Sequence, residues 1–128
     1  MAVLLYAKAG APDGARLERL LETHLCEVEM ETYETLQSFS QRFSQPVQDP
    51  SVAILLFMNR EDLIEALSIR DRIQDVGLIL IVPDREEETI ALAHQLRPRF
   101  LADLQNDLMT VTAVAEKMLK IRAGEPPL

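Results

Sequence analysis

The side chains that could carry chemistry in this chain are few, and they stand apart in the sequence. Histidine can act as an acid, a base or a phosphoryl acceptor, but neither His24 nor His94 belongs to a recognisable nucleophile–base pair in the sequence. The single cysteine, Cys26, cannot form an internal disulfide and is expected to be a small buried apolar residue. The acidic segment 84–88 suggests a metal site by charge alone, whereas its composition is typical of a solvated helix start. These residues therefore predict no catalytic group and no metal site.

The sequence also lacks the motifs by which proteins bind phosphate groups or activate a nucleophile. Neither GxxxxGK[ST] nor GxGxxG occurs, and the chain has only 4 glycines. Gly10 and Gly14 flank a turn, but no hydroxyl-rich loop follows them, so flavin phosphate binding has weak support. No Cys/His cluster has metal-ligand spacing, and no nucleophile–base pair is visible. We therefore expect no cofactor, and we expect that the chain is not an enzyme.

Length and charge narrow the possible partners. A chain of 128 residues suits one domain, which we place at residues 1–122, followed by a loose tail at 123–128. The net charge of −8 would repel a phosphate backbone, and the short basic cluster Arg97-Pro98-Arg99 is typical of a solvated turn, so no direct nucleic-acid partner is expected. No apolar run is long enough to span a membrane, and the first residues do not resemble a signal peptide, so we expect no membrane association and a cytoplasmic location.

Five short apolar runs predict the strands that would position any site. Residues 52–58 and 78–82 are continuously apolar, as expected for strands that are buried on both faces of a parallel sheet. Residues 3–7 form a similar run, whereas residues 100–104 form a weaker one. In the segment 26–30 the apolar residues alternate with glutamates, which predicts an edge strand with one wet face.

Apolar residues at helical spacing follow each of these runs. The predicted helices cover residues 17–25, 36–43, 59–77, 86–96 and 107–119. The third is expected to begin at the N-cap Asn59, three residues before Asp62, and to carry Ile64 among its apolar residues; the last is expected to be capped by Asp107. Strands joined by helices run parallel with right-handed crossovers, and the burial of the runs favours the strand order 2-1-3-4-5. The chain is therefore predicted to be a three-layer, doubly wound α/β domain of the flavodoxin-like kind, with function at the carboxyl ends of the strands beside the switch point between strands 1 and 3.

The second half of the chain resembles the receiver domain of bacterial response regulators. Residues 77–84 are similar to the fourth strand of that family, residues 87–93 to the start of its fourth helix, and residues 107–119 to its fifth helix. The similarity in topology covers the whole chain, and the match at the level of motifs covers roughly its last 45 residues. The resemblance implies a CheY-like signalling module.

The resemblance also implies which positions would carry phosphorylation, and at these positions the sequence departs from the family. A working receiver needs an acid pair after strand 1 to hold Mg²⁺, an acceptor aspartate at the end of strand 3, a Thr or Ser after strand 4 and a Lys after strand 5. The residues at the matching positions are Ala7-Lys8-Ala9, Leu56 or Phe57, Pro83 and Leu104. The aromatic switch residue near Leu101 is also replaced, although Phe100 lies next to it. The chain is therefore predicted to be a degenerate receiver without a phosphoacceptor.

What would remain of the phosphorylation site is a degenerate pocket at the strand ends. Its expected lining is Lys8, Phe57, Asn59, Pro83, Asp84 and Leu104. Lys8 could stand in for the metal as a fixed cation paired with Asp84, or both could be solvated loop charges of little energetic weight. Asn59 could bind a ligand at the mouth of the pocket, or it could only cap the helix that follows.

Two functions remain open from the sequence. The first is a phosphorylation-independent signalling or interaction module of two-component type, which contacts a protein partner or a second copy of itself. In the family the usual contact face is formed by helix 4, strand 5 and helix 5, and here it would draw on Ala91, Gln95, Asp103, Val114 and Lys117. The alternative is a small-ligand domain that binds a nucleotide or a flavin at the switch point.

Overall fold

A five-stranded parallel sheet forms the centre of the molecule, with its strands in the order β2-β1-β3-β4-β5. The computed structural model describes residues 1–25, 27–46, 51–73, 76–105 and 108–122. The strands are β1 (Ala2–Ala7), β2 (Glu29–Tyr33), β3 (Ser51–Leu56), β4 (Gly77–Val82) and β5 (Phe100–Asp103). The predicted strand order is confirmed. The surroundings of Cys26, the cap at Asp107 and the tail 123–128 lie outside the described residues.

Helices cover both faces of this sheet. They are α1 (Pro12–His24), α2 (Leu36–Arg42), α3 (Arg60–Ala66), α4 (Glu87–His94) and α5 (Leu108–Arg122). Leu17 of α1 and Val111 of α5 are fully buried in one apolar cluster on one face, while Phe39 of α2 and Ala93 of α4 are fully buried in a second cluster on the other face. The predicted three-layer arrangement is therefore confirmed. No helix within the described ranges is long and apolar enough to cross a membrane.

Burial differs between the central strands and the edge strand β2. Every residue of β3 and β4 is buried, because helices pack on both sides of them, whereas Glu29 and Thr32 of β2 are exposed. The edge position predicted for the glutamate-bearing strand is correct, but β2 begins at Glu29 and not at residue 26. The buried Leu25 caps α1, and its carbonyl accepts a hydrogen bond from Val28 N–H at 3.0 Å, so a turn precedes the strand.

A polar cluster joins β2 to α2. The Glu31 carboxylate accepts hydrogen bonds from Arg42 Nε at 2.6 Å and from the Tyr33 hydroxyl at 2.6 Å. The hydrogen bond from Arg42 lowers the pKa of Glu31, while burial, followed by the contact with Glu31, raises the pKa of Tyr33 to about 12. Glu31 is therefore ionised and Tyr33 protonated at neutral pH, which keeps this edge of the sheet fixed to the helix.

Helix α3 is shorter than predicted. It ends at Ala66, so the predicted end near residue 77 is wrong. Leu67–Ile69 form a 3₁₀ turn directly after α3. The Ser68 hydroxyl donates to the Glu65 carbonyl at 2.7 Å, a local bond that competes with the helical pattern. Ile64, one of the apolar residues that suggested the helix, is 51% exposed.

Gly14 allows α1 to approach β1 closely. A Cβ atom placed on Gly14 would lie 2.6 Å from the Ala7 Cβ, far inside normal contact distance. Gly14 is buried in the first turn of α1, and Ala7 is the last residue of β1. This approach sets the position of the loop between β1 and α1, which carries Lys8.

We expect Gly14→Ala to destabilise the fold by about 1–2 kcal/mol, because overpacking outweighs the higher helix propensity of alanine. Urea unfolding of the variant, of Ala7→Gly and of the double variant measures this. Ala7→Gly removes the atom that the new methyl group would strike, so Gly14→Ala should destabilise less in that background. An equal loss in both backgrounds would contradict the explanation.

Candidate functional site

The carboxyl ends of parallel strands meet at one edge of the sheet, which we call the carboxyl edge. The register pairs Ala7 with Leu56 and Val82 with Asp103. The residues that follow these strands are Lys8, Phe57, Pro83 and Leu104, which the resemblance to receivers implies as phosphorylation positions. They therefore follow neighbouring strands at this one edge, which includes the switch point between β1 and β3.

Leu56 and Phe57, the two residues considered for the acceptor position, are both apolar and buried. Leu56 is 1% exposed and belongs to the cluster beneath α1 and α5. Phe57 is 0% exposed and belongs to the cluster beneath α2, α3 and α4, where its ring centroid lies 6.0 Å from that of Tyr6. Neither side chain has an oxygen that could attack a phosphoryl group.

Lys8 forms an ion pair with Asp62 of α3. Lys8 Nζ lies 3.6 Å from Asp62 Oδ1, and the side chains are 59% and 9% exposed, respectively. Asp62 Oδ2 is buried and has no hydrogen-bond partner within the described part of the chain. Lys8 therefore neutralises a buried carboxylate, and this pair replaces the Lys8–Asp84 pair considered from the sequence.

Asn59 acts as the N-cap of α3. Its side-chain oxygen accepts a hydrogen bond from Asp62 N–H at 2.9 Å, the bond that the three-residue spacing predicted. The same spacing did not show that the Asp62 carboxylate would be buried against Lys8. That burial follows from the packing of α3 beside the end of β1, for which the local sequence carries no signal.

Tyr6 lies between aromatic rings beneath this ion pair. Its ring centroid is 6.2 Å from that of Phe39. Burial, followed by the charges of Asp62 and Glu65, raises the pKa of Tyr6 to about 12. The Tyr6 hydroxyl is therefore protonated at neutral pH and can serve as a hydrogen-bond donor but not as a base.

Asp84 stabilises the loop between β4 and α4. Its carboxylate accepts a hydrogen bond from Glu86 N–H at 2.9 Å and is hydrogen-bonded by the Thr89 hydroxyl. The hydrogen bonds from Thr89 and Glu86, together with the charge of Arg60, lower the pKa of Asp84. Pro83, which precedes it, is half-buried and has no hydroxyl group to offer.

Arg60 connects α3 to α4. Its Nε donates to Thr89 Oγ1 at 3.0 Å and its Nη1 to Glu88 Oε2 at 2.8 Å, while Nη2 bonds to Glu86 Oε2. Thr89 is fully buried, so one of these contacts reaches the protein interior. Analysis of the sequence did not identify Arg60, because its partners come from a different loop and helix.

One small cavity lies at the carboxyl edge within the described part of the chain. The cavity between the β1–α1 loop and the end of β2 has a volume of about 140 Å³ and is lined in part by Lys8, Gly10 and Tyr33. Ligand pockets commonly span roughly 300–1,000 Å³, so this one is small for a nucleotide or a flavin. A cavity of about 730 Å³ lies at the opposite edge, beside Leu78 and His94. Among the side chains that the structure describes, no group of three or more His, Cys, Asp or Glu is placed to hold a metal ion.

The five residues of the predicted contact face differ in exposure. Ala91 is exposed on α4, Gln95 is exposed directly after α4, and Lys117 is exposed on α5. Val114 of α5 is half-buried against the cluster beneath α1 and α5, and Asp103 at the end of β5 is also half-buried. The face thus combines small, polar and partly apolar surface.

Comparison with known proteins reveals the fold through structure and not through sequence. No protein-family model matches the sequence, and no curated protein matches it. A response regulator receiver protein from Pseudoalteromonas atlantica superposes with a TM-score of 0.71 at 12% identity, over 98% of this chain and 100% of that chain. A CheY-like response regulator from Mesorhizobium loti gives 0.68 at 16% identity, over 91% and 97%.

A third solved structure is the signal receiver domain of a modulated diguanylate cyclase from Desulfovibrio desulfuricans. It superposes with a TM-score of 0.70 at 17% identity, over 98% of both chains. Coverage is nearly complete in all three comparisons, so the likeness extends over the whole domain and not only its second half. The chain therefore has the flavodoxin-like fold of receiver domains, as the sequence predicted.

Lys8→Met should destabilise the fold by about 1–2 kcal/mol, because the buried Asp62 carboxylate would lose its cation. The loss should be smaller than for a fully buried pair, since Lys8 is more than half exposed. Adding Asp62→Asn should recover much of it. Chemical denaturation of these variants and of Lys117→Met, a control at an exposed lysine, measures the effect. Equal losses from Lys8→Met and Lys117→Met would contradict the expectation.

Proposed function

We propose that this chain is a receiver-like signalling module that acts by protein contact and is not controlled by aspartyl phosphorylation. The observation that carries the proposal is the burial of Leu56 and Phe57, one of which would stand where a receiver has its acceptor aspartate. The similar solved structures are named as response regulator or signal receiver proteins, which supports a signalling role. The fold supports the assignment to receiver-like signalling modules. The residues at the carboxyl edge support the proposal that the chain is not phosphorylated on an aspartate.

The other groups that phosphoryl transfer needs are also replaced at the carboxyl edge. Mg²⁺ requires carboxylate oxygens after β1, where the chain has Ala7 and the cation Lys8. Stabilising the phosphoryl oxygens requires a hydroxyl and an amine, and the side chains of Pro83 and Leu104 have neither group. A nucleophile, metal ligands and donors to the phosphoryl oxygens are therefore absent from the matching described positions, which supports our proposal that the chain is not an enzyme.

The carboxylates that do lie near this edge have structural partners. Asp62 is buried and paired with Lys8, and Asp84 is bonded to Thr89 and to the backbone of Glu86. An acceptor must present its carboxylate to a phosphodonor and a metal ion together. We therefore assign both aspartates a structural role and no part in phosphoryl transfer.

Protein contact is the remaining way for such a module to transmit a signal. We propose that the face of α4, β5 and α5 binds a protein partner or a second copy of the chain, in cytoplasmic signalling of two-component type. Ala91 places a small exposed side chain on this face, and the half-buried Val114 adds apolar surface next to the exposed Lys117. Interfaces commonly combine an apolar centre with a polar rim in this way.

Binding of a nucleotide or a flavin at the switch point is the less well supported alternative. The adjacent cavity of about 140 Å³ is small for either ligand. Thermal stabilisation of the purified protein by a nucleotide, or a flavin spectrum, would favour this alternative over the contact module.

Incubation with acetyl phosphate and Mg²⁺ should leave the mass of the intact protein unchanged, and beryllofluoride should not bind, because neither acceptor position holds a carboxylate. Intact-mass spectrometry measures the first and fluorine NMR the second. A receiver domain that retains its acceptor aspartate serves as the positive control. A stoichiometric aspartyl phosphate would overturn the proposal, and Asp62→Asn and Asp84→Asn would then locate it.

Ala91→Arg should weaken any complex of this chain by about tenfold or more, because a long cation at the centre of the contact face disrupts its packing. Ala15→Arg, at an exposed alanine on α1, makes the same change on another surface and should have no effect. Sedimentation velocity tests self-association, and quantitative pull-down tests a partner. Equal binding by the two variants would contradict the assignment of the face.

A further inference from the structure

A series of ion pairs connects neighbouring loops across the carboxyl edge. In order across the sheet, the pairs are Lys8–Asp62, Arg60–Glu86, Arg60–Glu88 and Arg85–Asp103. The first joins the β1–α1 loop to α3, the next two join α3 to the loop before α4 and to α4 itself, and the last joins that loop to β5. The series therefore runs across the edge to a residue of the proposed contact face.

We infer that Arg60 is a latch that holds the β4–α4 loop and the start of α4 against α3, and that its release repositions α4 on the contact face. The inference rests on the proposed function only in taking the face of α4, β5 and α5 as the contact surface. It assigns the carboxyl edge a conformational role that needs no phosphoryl group.

The geometry of Arg60 suits this role. Each of its three guanidinium nitrogens donates to a separate acceptor. Nε donates to Thr89 Oγ1, Nη1 to Glu88 Oε2 and Nη2 to Glu86 Oε2. A planar guanidinium can make these contacts in fixed directions, whereas a lysine ammonium is a single point charge. The Arg60 side chain is 30% exposed, so it is shielded from water more than its two glutamate partners are.

The contact with Thr89 extends the latch into the loop. The Thr89 hydroxyl, which accepts from Arg60, is also hydrogen-bonded to Asp84. Asp84 in turn accepts from the backbone N–H of Glu86 at 2.9 Å. The loop, the first turn of α4 and the start of α3 thus form one connected polar network, in which loss of the guanidinium weakens several contacts together.

The ionic part of the latch is open to solvent. Glu86 and Glu88 are 70% and 82% exposed, so salt screens their attraction to Arg60 and each pair alone contributes little. One guanidinium is ordered for all three contacts, which lowers the entropy lost per contact. The latch is therefore closed at low ionic strength and weakened by competing ions.

The path from the latch to the contact face is short. Arg85 stands in the same loop, and its Nε donates to Asp103 Oδ2 at 2.6 Å. Asp103 is the last residue of β5, and its side chain is 15% exposed. Ala91 and Gln95 lie on and directly after α4, which begins at the end of this loop. A shift of the loop therefore moves both the start of α4 and the arginine that is paired with Asp103.

Hydrogen exchange of residues 83–94 tests the latch. Amide exchange should be about tenfold faster in Arg60→Gln than in the wild type, the factor that corresponds to loss of one charge-assisted hydrogen bond. Raising the salt from about 0.1 M to about 1 M should accelerate exchange more in the wild type than in Arg60→Gln, in which the Arg85–Asp103 pair is still open to screening. Arg60→Lys should lie between the two. Arg16→Gln, which removes an arginine that is 69% exposed and paired on α1, is the matched control.

Amide chemical shifts of Ala91, Gln95 and Asp103 should move in Arg60→Gln and stay in place in Arg16→Gln. Circular dichroism checks that the variants are folded, and if Arg60→Gln does not fold, Arg60→Lys and the salt series on the wild type still decide. Equal exchange in Arg60→Gln and Arg16→Gln, or salt-independent exchange in the wild type, would overturn the latch. These experiments use no phosphodonor, so failure of the latch would not affect the proposal that the chain is not controlled by phosphorylation. Detection of an aspartyl phosphate would overturn that proposal and not the latch.

Discussion

The burial of both faces of the sheet is the constraint on which the rest of this structure depends. Every residue of β3 and β4 is buried, and parallel pairing with neighbouring strands satisfies their backbone polar groups. Polar side chains can then gather only where the strands end. Residues at the carboxyl edge can therefore vary, and ion pairs can form there, without any change to the layers beneath it.

The strands and their order could be predicted because burial leaves a simple mark on the sequence. Continuous apolarity marks a strand covered on both faces, and the glutamates of β2 mark an edge. The N-cap at Asn59 was also predictable, since the bond to Asp62 N–H is local. The end of α3 was not, because it depends on a 3₁₀ turn and on the Ser68 hydroxyl, which periodicity does not record.

The polar contacts of the carboxyl edge could not be predicted, because their partners are distant in the sequence. Arg60 meets Thr89 from 29 positions away, and the pair is formed only once α3 and α4 lie side by side. Local patterns marked Asp62 as a cap partner and residues 86–88 as acids that favour a helix start. The similar solved structures share 12–17% of their residues with this chain, so the common fold does not depend on a common sequence.

The glutamates of β2 also bear on how copies of this chain can assemble. Endless growth of a sheet into a filament needs two free edges that can add to each other, here β2 and β5. On β2, Glu29 is exposed and Glu31 is held at the edge by Arg42, so an incoming strand would meet carboxylates along this side. These carboxylates therefore disfavour the addition of a further strand at β2, and with it the open growth that needs both edges.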